Sequence, residues 1–247
     1  DNQMPVEECG NMLILTAAIA KAEGNANYAA KYWHTVTKWA EYLKGKGFDP
    51  ENQLCTDDFA GHLAHNANLS VKAIMGIASY ASLCEMRGLK TEAVAYKNAA
   101  KDMVQKWIMS AGDGDHFRLA FDKPGSWSQK YNMVWDEVLG FNLFPDEVKN
   151  KETGFYLKQQ NHYGLPLDNR STYTKLDWII WSASLANSNN AFRELVRPVY
   201  DFLKETPDRI PMTDWYWTKS GEYRGFIARS VVGGVYMGLL KEKFKQK

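Results

Sequence analysis

The chain has 247 residues, enough to bury a sizeable core in one domain or two small ones. Its 30 basic and 29 acidic residues nearly cancel, which argues against an electrostatic surface for nucleic acid or anionic membrane. No apolar run approaches the roughly 20 residues of a membrane span, and Cys9, Cys55 and Cys84 fit neither a disulfide framework nor a metal motif.

The chain opens Asp1-Asn2-Gln3-Met4, without initiator Met or signal peptide, and is expected to be a piece of a longer protein. Residues 8–23 read as a helix that is apolar on nearly every face, with Lys21 its only interior charge and Gly24-Asn25 its stop. Residues 26–46 read as an amphipathic helix, with Tyr28, Tyr32, Val36, Trp39, Ala40 and Leu43 on one stripe. An irregular segment, 48–65, leads into a third helix that Gly88 stops; its only charge before the last turn is Lys72. A charged partner carrying Lys90, Glu92, Lys97 and Lys101 follows.

The second half repeats the alternation. A loop over 112–131 feeds an apolar helix at 132–143, and Pro145 begins its charged partner. The next loop contains His162 and runs from Gly164-Leu165-Pro166-Leu167-Asp168-Asn169-Arg170 to Tyr173; Gly, Pro and Asn make it non-helical. Thr174 stands at an N-cap position with Asp177 three residues on, like a capping box with Asp in place of Glu, before an uncharged helix to about Asn187. A charged partner over 193–205, a loop over 207–224, and an apolar helix at 226–240 with Arg229 as its only charge complete the chain. Strand signals are nearly absent.

Helices apolar all round must be enclosed, and amphipathic ones must enclose them. The predicted class is therefore all-α: an α/α toroid of helical hairpins, a single domain over residues 1–247. Nine predicted helices against the twelve of six hairpins imply that the first hairpins precede Asp1. An α-solenoid is the alternative, but the units lack a fixed period and the returning loops are long and polar. In a toroid those loops and the segment around Glu7 meet at the N-termini of the inner helices, where partial positive charge favours anionic groups.

Crowded carboxylates over a concave, aromatic-lined end suit general acid/base work, because proximity raises one pKa and leaves its neighbour ionised. Asp58, Asp168 and Asp214, in Gly- or Pro-containing loops, are the catalytic candidates, with a purely structural role the alternative. Glu7 and Asp177 join the substrate-binding candidates, although they and Glu8 read more readily as first-turn acids that stabilise helix starts. Arg170 offers a planar fork for a substrate carboxylate, helped by Lys175, or else a salt bridge to Asp168 or Asp177. His62, Tyr173 and Trp215 complete the substrate-binding set. His62 and His65 with Asp58 lack the HExxH spacing of a metal site, and Gly112-Asp113-Gly114-Asp115 lacks the remaining calcium ligands, so neither metal nor cofactor is expected.

Four runs resemble the fungal and bacterial glutaminase A family: Met4-Pro5-Val6-Glu7-Glu8-Cys9-Gly10-Asn11, Thr56-Asp57-Asp58-Phe59-Ala60-Gly61, the 164–170 loop with Tyr173-Thr174-Lys175-Leu176-Asp177-Trp178, and Pro211-Met212-Thr213-Asp214-Trp215-Tyr216. The resemblance implies the six-hairpin glycosidase-like toroid and hydrolysis of the small molecule L-glutamine to L-glutamate and ammonia. It also implies export to the periplasm or outside the cell, with a β-rich domain ahead of the toroid. A glycoside hydrolase, or a module that grips a glycan or peptide without chemistry, is the rival reading, since carboxylates and aromatics suit sugars too.

Overall fold

A computed structural model describes residues 3–246 of the chain. Asp1-Asn2, part of the opening run behind the expectation of a longer protein, lies outside the described residues. The chain forms two compact units. One takes the chain through Gly112 with Leu119–Pro124 and Trp135–Leu143; the other takes Asp113–Arg118, Gly125–Val134 and the chain from Phe144.

In the first unit the alternation of apolar and charged helices is borne out by α1 (Pro5–Glu23), α2 (Asn27–Lys31), α3 (Trp33–Lys46), α4 (Ala67–Met86) and α5 (Lys90–Ala111). Pro5 stands at the start of α1, where its missing N–H costs nothing, and Gly24 ends the helix at φ 72°. The helix predicted over 26–46 is instead two, broken at Tyr32, whose φ of −119° and ψ of 22° depart from helical geometry. Asn66 caps α4 by accepting the Asn68 and Leu69 N–H groups. From Ala67 to Ala81 every residue of α4 is buried, packed against α1, α3 and α5. Gly76 permits a close crossing: a Cβ there would lie 2.6 Å from Leu43 Cδ1 and 3.2 Å from the Gly10 Cα of α1. Full enclosure fails for α1, where Met12 and Leu15 are exposed.

The two-residue strands β1 (Gly112–Asp113) and β2 (His116–Phe117) pair in a small hairpin. The helix predicted over 132–143 is shorter, with a 3₁₀ turn (Tyr131–Met133) leading into α6 (Val134–Leu139). Gly140 at φ 73° ends it, and the Asp136 carboxylate accepts the Leu143 N–H at 2.9 Å, a local bond that competes with another helical turn.

The second unit contains α7 (Asp146–Gln159), β3 (Tyr173–Lys175), α8 (Leu176–Ala183), α9 (Asn189–Glu205), β4 (Trp215–Trp217), β5 (Tyr223–Gly225) and α10 (Met237–Lys245). Strand is scarce among the described residues, as the sequence implies, but three short strands matter: β3, β4 and β5 form an antiparallel sheet in which Tyr173 faces Trp217 and Lys175 faces Trp215. The predicted Thr174 cap is corrected here. Thr174 lies inside β3, its hydroxyl accepts from Gln129, and α8 begins at Leu176 without a side-chain cap. Pairing with β4 holds Thr174 extended, which overrides its cap propensity. The sheet's inner face carries Tyr216, stacked on Phe202 of α9 at 3.6 Å and buried among Leu165, Ile179 and Val199. Among the described residues no helix is long and apolar enough to cross a membrane.

The largest departure is at 226–240, read as one enclosed helix. Phe226 and Ala228 instead take left-handed φ values of 61° and 52°, a 3₁₀ turn follows (Ser230–Tyr236), and only Met237–Lys245 is α-helical. Tyr236 and Leu239 are exposed. The strained start is held in place: Thr213 donates its hydroxyl to the Gly225 and Phe226 carbonyls, and the Ala228 N–H donates to the Met212 carbonyl at 3.0 Å.

Candidate active site

The second unit builds its polar site around the 161–177 segment. Gln129, fully buried, anchors it: its side-chain amide donates to the Leu165 and Pro166 carbonyls and to Thr174 Oγ1, and its carbonyl accepts from Ser182 of α8. Behind Gln129 the buried Lys130 ammonium donates to the carbonyls of Phe117 and Ser128, 3.8 Å from the Glu152 carboxylate. Burial pushes Lys130 down and Glu152 up, each towards its neutral form. Tyr156 bonds Glu152 and accepts the Lys130 N–H. These residues carry the loop, and none of them is among the candidate site residues legible in the sequence.

At the tip of that loop Asp168 and Arg170 have each other. The Arg170 fork grips the buried Asp168 carboxylate through Nε at 3.0 Å and Nη2 at 2.6 Å, and the Arg170 N–H adds a third bond at 2.8 Å. Of the two readings of Arg170, the salt bridge is the one the structure adopts, and it engages Asp168 in the same stroke.

Past β3 the sheet and α8 bring a second group together. Lys175 is 2% exposed and pairs with Asp214, itself fully buried just before β4. The ammonium also faces the rings of Trp178 and Phe226, 5.3 and 5.2 Å from their centroids. Arg229 reaches the same carboxylate, with Nη2 2.6 Å from Asp214 Oδ2, while its guanidinium lies 3.7 Å from the Phe226 centroid. On the sheet Trp215 is packed edge-to-face by Tyr173 and covered by Arg224 at 4.8 Å.

Asp177 completes the group. It lies in the first turn of α8, is 4% exposed, and its Oδ1 has no hydrogen-bond partner among the described residues. Close packing encloses it: a Cβ on Gly234 would sit 2.7 Å from its Cβ and 2.9 Å from Trp181 Nε1. Burial raises its pKa to about 6, against the lowering pull of Lys175, of its own and the Trp178 backbone N–H, and of Arg229. A carboxyl that titrates near neutrality beside two cations can take and return a proton.

That raised pKa has a measurable consequence for stability. The folded state holds the Asp177 proton more tightly than the unfolded chain, so its contribution is complete below the ordinary value of 3.8 and is lost as pH rises to about 6. The shift of roughly two units corresponds to about 3 kcal/mol. Asp177→Asn is therefore expected to gain stability over the parent between pH 4 and pH 6.5 and to show no pH-dependent gain below pH 3.5. Urea unfolding at stepped pH reads this directly, and a constant difference across the range would contradict it.

The other predicted residues lie in the first unit or at the surface. Glu7 is buried, pairs with Lys72 at 3.1 Å, and accepts from Asn11 and Thr56. Asp58 opens an exposed 3₁₀ turn and His62 is exposed beyond it. His65 pairs with Asp49 at 2.7 Å. In the second unit His162 pairs with Glu205 at the surface. The structure thus assembles Lys175, Asp177, Asp214 and Trp215, sets Asp168 with Arg170, and adds Arg229 and Phe226. Arg229 had one legible signal: like Lys72, it is a lone charge in an apolar stretch, and both proved to hold a buried carboxylate.

Among known proteins, the sequence matches the family described as the glutaminase A six helical-hairpin domain over residues 1–239, which agrees with the all-α hairpin class read from the helices. A glutaminase A of Aspergillus oryzae is 34% identical across 97% of this chain and 36% of its own length. A probable glutaminase of Arthroderma benhamiae is 30% identical across 98% of this chain and 38% of its own. The chain spans just over a third of the length of these relatives.

Proposed function

This chain belongs to the glutaminase A six helical-hairpin family, and we propose that it carries the site of an amidohydrolase that converts L-glutamine to L-glutamate and ammonia. One observation carries the reading: a buried carboxyl near pKa 6, with one oxygen unpartnered, beside the Lys175–Asp214–Arg229 cluster. Ionised above pH 6, Asp177 takes a proton from water as the oxygen adds to the side-chain amide carbon. The Lys175 ammonium offsets the charge that develops on the amide oxygen. As the C–N bond breaks, Asp177 returns its proton to the departing nitrogen, which leaves as ammonia.

From sequence, the catalytic candidates are Asp58, Asp168 and Asp214. Asp168 is held on both oxygens by Arg170, and Asp214 by two cations, so Asp177 is the better placed acid and base. The glycoside-hydrolase alternative draws its support from the aromatic face of Tyr173, Trp215 and Trp217. The deciding assay incubates the protein with glutamine and, separately, with a panel of oligosaccharides. Glutamate and ammonia in equal amounts are expected; reducing sugar without ammonia would overturn the proposal.

A further inference from the structure

The pairing of Arg170 with Asp168 leaves open which group could recognise the α-carboxylate of a substrate. Lys175 is enclosed by Asp214 and two rings. Arg229 differs: its side chain is 39% exposed, so it stands at the mouth of the cluster. Only one of its bonds to Asp214 is short, the other being 3.4 Å from Nε, and its Nη1 has no hydrogen-bond partner among the described residues. The Phe226 ring fixes the plane of the guanidinium from one side at 3.7 Å. That plane is set by strained backbone at Phe226 and Ala228, held by Thr213 and by the Met212 carbonyl.

Charge supports the same assignment. Lys175 and Arg229 supply two positive charges against one from Asp214. A monovalent carboxylate at Arg229 keeps the guanidinium paired as it loosens from Asp214, and a neutral amide does not. From this geometry we infer that Arg229 is the specificity-determining residue of the site, and that its ligands are small molecules with a free carboxylate, gripped by Nη1 and Nη2 as the guanidinium loosens from Asp214. The substrate form of this inference rests on the proposed amidohydrolase function: free glutamine is accepted, and glutamine with its α-carboxyl blocked as an amide is refused.

The test uses two readouts, so that the clamp and the reaction can fail separately. Calorimetry measures binding of glutamate and of glutaminamide, the α-amide of glutamine, which carries no carboxylate, to the parent, Arg229→Lys and Arg229→Gln proteins. The parent is expected to bind glutamate about 10- to 100-fold more tightly than glutaminamide, the scale of a charged hydrogen-bonded pair. Arg229→Gln is expected to erase that preference, and Arg229→Lys to restore part of it, since lysine keeps the charge but not the fork. In turnover, Arg229→Gln is expected to raise KM for glutamine by a similar factor with a smaller change in kcat. Carboxylate preference that survives in Arg229→Gln, or no glutamate binding by the parent, overturns the clamp. Arg229-dependent binding with no ammonia release by the parent overturns the proposed reaction and leaves the clamp standing.

Discussion

Replacing Asp177 with Asn is expected to lower kcat for ammonia release by on the order of 10²–10⁴ and to remove the acidic limb of the pH profile. In the parent, activity should rise with pH through about 6, as the buried carboxyl loses its proton and becomes a base. Asn occupies the same volume in the enclosure made by Gly234 and Trp181, but cannot take a proton from water. The same substitution removes the cost of ionising a buried acid, so lower activity should accompany higher stability at neutral pH. A stability defect alone cannot produce that opposition. A variant that kept the limb near pH 6 would return the acid/base role to another carboxyl.

Removal of Asp214 is expected to be the costlier change for the fold. Asp214→Ala strips the buried Lys175 ammonium of its carboxylate and leaves it facing two rings. Breaking one side of a buried pair costs about 3–5 kcal/mol, because the surviving charge stays desolvated. Arg229→Ala should cost far less, since Lys175 continues to neutralise Asp214 and Arg229 is already partly hydrated. Replacing both members of the buried pair, as Lys175→Met with Asp214→Leu, should recover most of the loss. Urea midpoints at unchanged m-value measure all three. A single-mutant cost below about 1 kcal/mol would mean that water reaches Lys175.

Both predictions turn on an ion cluster of which the sequence revealed only parts. Lys175, Asp177, Asp214 and Trp215 could be named because polar residues stood out in loops before apolar segments. Arg229 and Lys72 were visible as lone charges on apolar runs, yet their partners lie 15 and 65 residues away, and no local pattern encodes that separation. Gln129 and the Lys130–Glu152–Tyr156 network looked ordinary in sequence, because a buried polar side chain is recognised by its partners rather than by its type.

What the chain order determined by itself was the alternation of apolar and amphipathic helices, from α1 to α9. Hydrophobic period is a local property, set by which residues must leave water along a few turns. Tertiary structure decided where those periods give way. Thr174 entered a strand because Tyr216 and its neighbours offered backbone partners, and 226–236 gave up its helix where Thr213 and Met212 took hold of its first carbonyls and N–H groups. It decided the chemistry as well: an aspartate is an ordinary acid in the sequence, and only enclosure by α8 and the Gly234 turn lifts Asp177 to a pKa where it can exchange a proton near neutrality.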